Sequence, residues 1–88
     1  MNWELLVPRH VKRCIIRLPR KDQIRIIGAL DLLAVNPFSG DIQKIKNEQN
    51  SWRRRTGAYR IFYEIFQKSK IIAVYRVERR TSNTYRKV

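Results

Sequence analysis

The run Tyr59-Arg60-Ile61-Phe62-Tyr63-Glu64-Ile65-Phe66 limits the fold more than any other stretch of the chain. In an extended backbone Ile61, Tyr63 and Ile65 share one face, and Arg60, Phe62, Glu64 and Phe66 share the other. That is the alternation of a half-buried strand. Thr56-Gly57-Ala58 before it and Gln67-Lys68-Ser69 after it are short enough for antiparallel hairpins. Strands are therefore expected over residues 52–55, 59–66 and 70–77. Arg53 and Arg55 share a face of the first, with Arg54 opposite. In the third, strict alternation sets Arg76 with Ile72, Val74 and Glu78.

A sheet with one apolar face needs a cover, and the preceding half supplies one. Residues 3–7 read as a short strand ended by Pro8. Val11, Cys14, Ile15 and Leu18 then follow helical spacing as far as Pro19, which places Cys14 in a buried stripe. A second helix over 21–34 carries Ile24, Ile27, Leu30, Asp31 and Ala34 at helical spacing, with Ile26 and Leu33 widening the other side. Residues 36–40 are a loop by composition. Residues 41–50 are polar; Ile42 and Ile45, three apart, fit a helical turn better than a strand. The tail from residue 81 is polar and basic, a short helical turn or an extended end. The expected fold class is α+β, in the order βααβββ, with an antiparallel sheet packed against a helical hairpin in a single domain over residues 1–88.

Charge decides what such a domain meets. Twenty Lys and Arg against seven Asp and Glu give +13, and 43% hydrophobic residues still suffice for a core. From Ser51 onward there are eleven basic and two acidic residues, against nine and five before it. A chain so charged calls for a polyanion or an acidic protein. The one cysteine excludes an internal disulfide, and there is no His pair, Cys/His cluster or run of carboxylates for a metal, so no cofactor is expected. His10 reads as a solvated residue at a helix start, and Glu64 as a screen for a neighbouring arginine. No apolar run approaches the ~20 residues of a membrane span. The start lacks a basic segment followed by an apolar core, so the cytoplasm is the expected compartment.

Arginines, lysines and tyrosines remain. Against single-stranded RNA, Arg and Lys would neutralise phosphates and tyrosines would stack on bases. Cleavage would add attack of a ribose 2′-OH on the adjacent phosphate, which needs a base, an acid and positive charge around phosphorus. A tyrosine can be that base where cations depress its pKa, and Tyr85 is surrounded by Arg80, Arg86 and Lys87.

Asn36-Pro37, Gly40 and Lys44-Ile45-Lys46, then Trp52-Arg53-x-Arg55-x-Gly57-x-Tyr59-Arg60-Ile61-x-Tyr63-x-Ile65, then residues 74–77 leading to Arg79-Arg80 and Tyr85-Arg86, resemble the RelE/ParE toxin superfamily, in its RelE-type mRNA interferase branch. The resemblance implies the toxin of a type II toxin–antitoxin module. Such a toxin is a ribosome-dependent, metal-independent endoribonuclease that cuts translated mRNA in the A site and is silenced by a cognate acidic antitoxin. Carried over, Arg60, Arg80 and Tyr85 look like its catalytic residues. Lys44, Lys46, Arg53, Arg55, Arg79 and Arg86 look like its contacts to RNA and ribosome. Tyr59 and Tyr63 read as packing residues, and Arg54 and Arg76 as facing solvent or a partner. Asn47 stands where the family usually has a glycine, and Ser51 and Arg53 where some members use lysines. Two other readings are a ParE-like inhibitor of DNA gyrase and a non-catalytic RNA- or ribosome-binding module.

Overall fold

Two prolines divide the N-terminal half into its elements. The computed structural model describes residues 3–79. Strand β1 (Glu4–Leu6) stops before Pro8, whose carbonyl accepts the first amide hydrogens of helix α1 (Arg9–Ile16). Pro19 does the same for helix α2 (Arg20–Val35). Proline suits this position because its fixed φ leads into a helix that would leave an N–H there unpaired anyway. Between the helices, Gln23 Nε2 donates to the carbonyls of Leu18 (2.9 Å) and Ile16 (3.2 Å), fixing the corner.

Four further strands follow: β2 (Ile42–Lys44), β3 (Ser51–Thr56), β4 (Tyr59–Phe66) and β5 (Ile71–Arg79). They form one sheet with β1, in the order β1-β5-β4-β3-β2. Gly57, at φ +60°, makes the tight β3–β4 turn. Val11 and Ile15 of α1 and Ile26, Ala29, Leu30 and Leu33 of α2 pack on Tyr59, Ile61, Tyr63, Ile65, Ile72, Val74 and Val77. Both helices thus cover one face of the sheet, and among the described residues the other face is open. The fold class is the expected α+β.

The details depart from expectation at five places. The 41–50 segment contributes strand β2, because the edge of β3 offers unpaired backbone groups that a short polar segment can satisfy. β1 runs parallel to β5, so the sheet is mixed. The inward stripe of α2 is the one through Ile26, Leu30 and Leu33; Ile24 and Ile27 are exposed. Cys14 is exposed, although its thiol reaches the Val77 carbonyl at 3.8 Å. Finally, a bulge between Phe62 and Tyr63 pairs Phe62 with Arg76 but Tyr63 with Val74. Tyr75 is left over, and the side-chain phase of β5 slips by one.

Candidate nucleic-acid interface on the open sheet face

Register determines which cations meet. Residues paired across neighbouring strands share a face, so Gln43, Arg53, Phe62 and Arg76 form one row on the open side. Arg55, Arg60 and Glu78 form the next. The bulge turns Arg76 outward, away from Ile72 and Val74, with which strict alternation would have grouped it. Its only trace in the sequence is the spacing of Val74 and Val77, three apart where two would keep the phase.

Each of these arginines has a partner. Arg53 donates from Nη2 to Gln43 Oε1. Arg55 Nε donates to Asp41 Oδ2 at 3.0 Å. Arg60 Nη1 lies 3.6 Å from Glu78 Oε2, and Arg76 Nη2 lies 2.6 Å from Glu78 Oε1. The Arg76 guanidinium also sits over the Phe62 ring, 5.4 Å from its centre. Among the described residues, Glu78 and Asp41 screen the arginines. Glu64, expected in that role, instead lines a shallow cavity of about 280 Å³ with Ile45, Glu48, Ser51 and Tyr75.

Among the described residues, Lys44, Lys46 and Arg79 stand apart from this array. Lys44 pairs with Trp52 and so faces the helix side, where it lines a cleft of about 670 Å³ with Phe38, Trp52 and Lys68. Arg79 pairs with inward-facing Tyr59, its guanidinium 5.9 Å from that ring. Lys46 is exposed in the β2–β3 connection. Arg80, Tyr85 and Arg86 lie outside the described residues. Asn47 has φ 67°. Asparagine is among the side chains that tolerate that left-handed geometry best.

Arg54 does not face solvent. It pairs with Ile61 on the inward face, and its Nη1 donates to the Ser39 carbonyl at 2.8 Å. Its Nε is buried with no partner among the described residues. Tyr59 and Tyr63 are packing residues. The Tyr59 hydroxyl donates to Asp22 at 2.8 Å, and burial, helped by that carboxylate, raises its pKa. The Tyr63 hydroxyl donates to the Pro37 carbonyl at 3.1 Å. Burial pushes its pKa up to about 12, with Arg54 pulling the other way. Neither is on the open face. Among the described residues no cluster of His, Cys, Asp and Glu could hold a metal ion, and no helix is long and apolar enough to cross a membrane.

Residues 8–84 match the family model of the ParE toxin of type II toxin–antitoxin systems. The chain belongs to this family. The fold agrees with solved structures from the wider RelE/ParE superfamily. The archaeal RelE–RelB complex from Pyrococcus horikoshii superimposes with a TM-score of 0.80 at 24% identity, covering 91% of this chain and 97% of that one. The RelBE2 toxin–antitoxin complex from Mycobacterium tuberculosis gives 0.78 at 20%, covering 91% and 93%. The isolated RelE toxin of E. coli gives 0.77 at 12%, covering 90% and 85%. No curated protein matches the sequence.

Proposed function

We propose that this family member is a RelE-type endoribonuclease that cuts translated mRNA on the ribosome in the cytoplasm. The observation that carries the reading is the two neighbouring rows that hold Arg53, Arg55, Arg60 and Arg76 on the sheet face that neither α1 nor α2 covers. Guanidinium groups do not deprotonate and match phosphate with two parallel donors, so such a face binds an RNA backbone and stabilises added charge on phosphorus. In the proposed reaction the ribose 2′-oxygen attacks the adjacent phosphorus as its proton leaves to a base. The P–O5′ bond breaks, and the departing 5′-oxygen takes up a proton. Tyr85 serves as base or proton relay, and Arg60 and Arg80 offset the charge on the phosphorane. Arg53, Arg55 and Lys46 orient the strand and dock on ribosomal RNA, with Lys44, Arg79 and Arg86 as more peripheral contacts. The arginines supply the positive charge, so no metal is needed.

The partner of this toxin is proposed to be an acidic antitoxin, as RelB accompanies RelE in the complexes from Pyrococcus and Mycobacterium. The exposed side of α2 suits it: Ile24, Ile27, Leu32 and Val35 are each about half exposed or more, and the space around Gly28 is open.

Because the matched family model is that of the ParE toxin, the second reading given by the resemblance, a ParE-like inhibitor of DNA gyrase, is kept beside it. Mapping mRNA cuts with and without ribosomes after brief induction separates the two. Cuts within translated codons support the first; DNA damage with intact mRNA replaces it by the second. Arg60→Ala, Arg80→Ala and Tyr85→Phe are each expected to lower cleavage by about a hundred-fold or more and to relieve growth arrest while the protein stays folded. Full toxicity in all three folded variants would remove the site assignment.

A further inference from the structure

Among the described residues, Glu78 is the one acidic side chain in direct contact with the arginine array from within its own strands, and the bulge puts it there. It is the register partner of Arg60. Its two oxygens are divided between Arg60 and Arg76, and Arg76 is itself seated on Phe62. The Arg60 and Glu78 side chains are only about a third exposed, at 32% and 30%. Without the slip in β5, Arg76 and Glu78 would both turn toward the helices, and Glu78 would no longer face Arg60. Bulges re-aim side chains in this way beside functional sites.

We infer that Glu78 is the positioning residue for Arg60: it holds the guanidinium in place before substrate arrives and is then exchanged for an RNA phosphate. The inference rests on the functional reading above. A long arginine side chain loses rotamer freedom on binding, and a carboxylate that already restrains it lowers that loss. At 3.6 Å the Arg60 contact is looser than the 2.6 Å contact to Arg76, so Arg60 is the one released. Glu78 keeps Arg76 and stays in place. The exchange weakens RNA binding, because phosphate must displace an ion pair, and it aids chemistry, because Arg60 is aimed before substrate arrives.

The test measures binding and chemistry separately. Full-length protein and its Glu78→Gln, Glu78→Asp and Glu64→Gln variants are titrated with a short single-stranded RNA carrying a 2′-deoxy substitution that blocks cleavage. Single-turnover cleavage of ribosome-bound mRNA is then measured at saturating toxin. Glu78→Gln is expected to tighten RNA binding about three-fold and to slow cleavage about ten-fold, with Glu78→Asp restoring most of the rate. In an Arg60→Ala background Glu78→Gln should change neither quantity. If Glu78→Gln and Glu64→Gln behave alike with unchanged cleavage, Glu78 is only a charge in the field and the proposal falls. A Glu78→Gln effect of equal size with and without Arg60 also overturns it. A wild-type chain that binds RNA but cuts none removes the nuclease reading, while the Arg60–Glu78 coupling in binding still decides this one. A chain that binds no RNA overturns both.

Discussion

Arg54 shows how one residue can leave a functional motif for a structural task. It stands between two arginines of the open face, yet strand alternation turns it inward, where its guanidinium lies against Gly40 and reaches the Ser39 carbonyl. A Cβ at Gly40, which has φ +89°, would collide with that guanidinium. Arg54→Ala is expected to cost about 1–3 kcal/mol through the lost charge-assisted hydrogen bond, read as a lower denaturation midpoint. Gly40→Ala should also destabilise, through both collision and backbone strain. Tyr63 gives a pH test in the same region. Its pKa is raised to about 12 in the fold against 10.0 for the free side chain. Its contribution to stability is therefore complete below pH 10 and is lost as pH rises toward 12. Tyr63→Phe should flatten that alkaline decline, seen by comparing far-ultraviolet ellipticity of the two proteins between pH 9 and 12. An equally steep decline in the variant would assign the loss to other groups. The opposite faces of Arg54 and of Arg53 with Arg55 were legible in the sequence, because period-two alternation is geometric. What each arginine touches was not, because Gln43, Asp41 and Glu78 reach them only through strand pairing.

Elements long enough to repeat their pattern were readable, and those that break it were not. β4 alternates over eight residues, and its buried side is the expected Ile61, Tyr63 and Ile65. β2 has only three residues, too few for periodicity, and forms because β3 offers it an edge. β5 changes phase at Tyr75, so a reading that assumed one phase misplaced Arg76. α2 is apolar on nearly every side, so spacing alone could not choose between its stripes; packing on the sheet selected Ile26, Leu30 and Leu33. The unchosen stripe carries a prediction. Gly28 lies inside α2 with nothing within 4 Å of where a Cβ would be, so alanine should stabilise the free protein by about 1 kcal/mol. For a domain of this size that raises the midpoint of thermal unfolding by about 4–8 °C. If the antitoxin packs closely on this stripe, the same methyl group should weaken that complex. Higher thermal stability with unchanged antitoxin affinity would place the partner elsewhere.

At the scale of the whole molecule, the net charge of +13 sets two salt effects of opposite sign. Self-repulsion among twenty cations opposes compaction, and added salt screens it. The three ion pairs among the described residues involve groups about a third or more exposed, apart from Glu78 at 30%, so their loss by screening is minor by comparison. The unfolding midpoint is therefore expected to rise between low and high salt. RNA binding should move the other way. Each phosphate contact on a single strand contributes about −0.7 to the slope of log K against log salt, so engagement of Arg53, Arg55 and Arg60, with Arg76 kept by Glu78, gives a slope of about −2. Arg60→Ala should reduce its magnitude by about 0.7, whereas Arg54→Ala, which removes a cation from the inward face, should leave the slope unchanged once the protein is folded. Fluorescence titration of a labelled single-stranded RNA at several salt concentrations reads both slopes. Equal loss of slope in the two variants would mean that the protein is felt as a diffuse cation. A difference confined to Arg60 would mean that the open sheet face, and not the bulk charge, receives the phosphates.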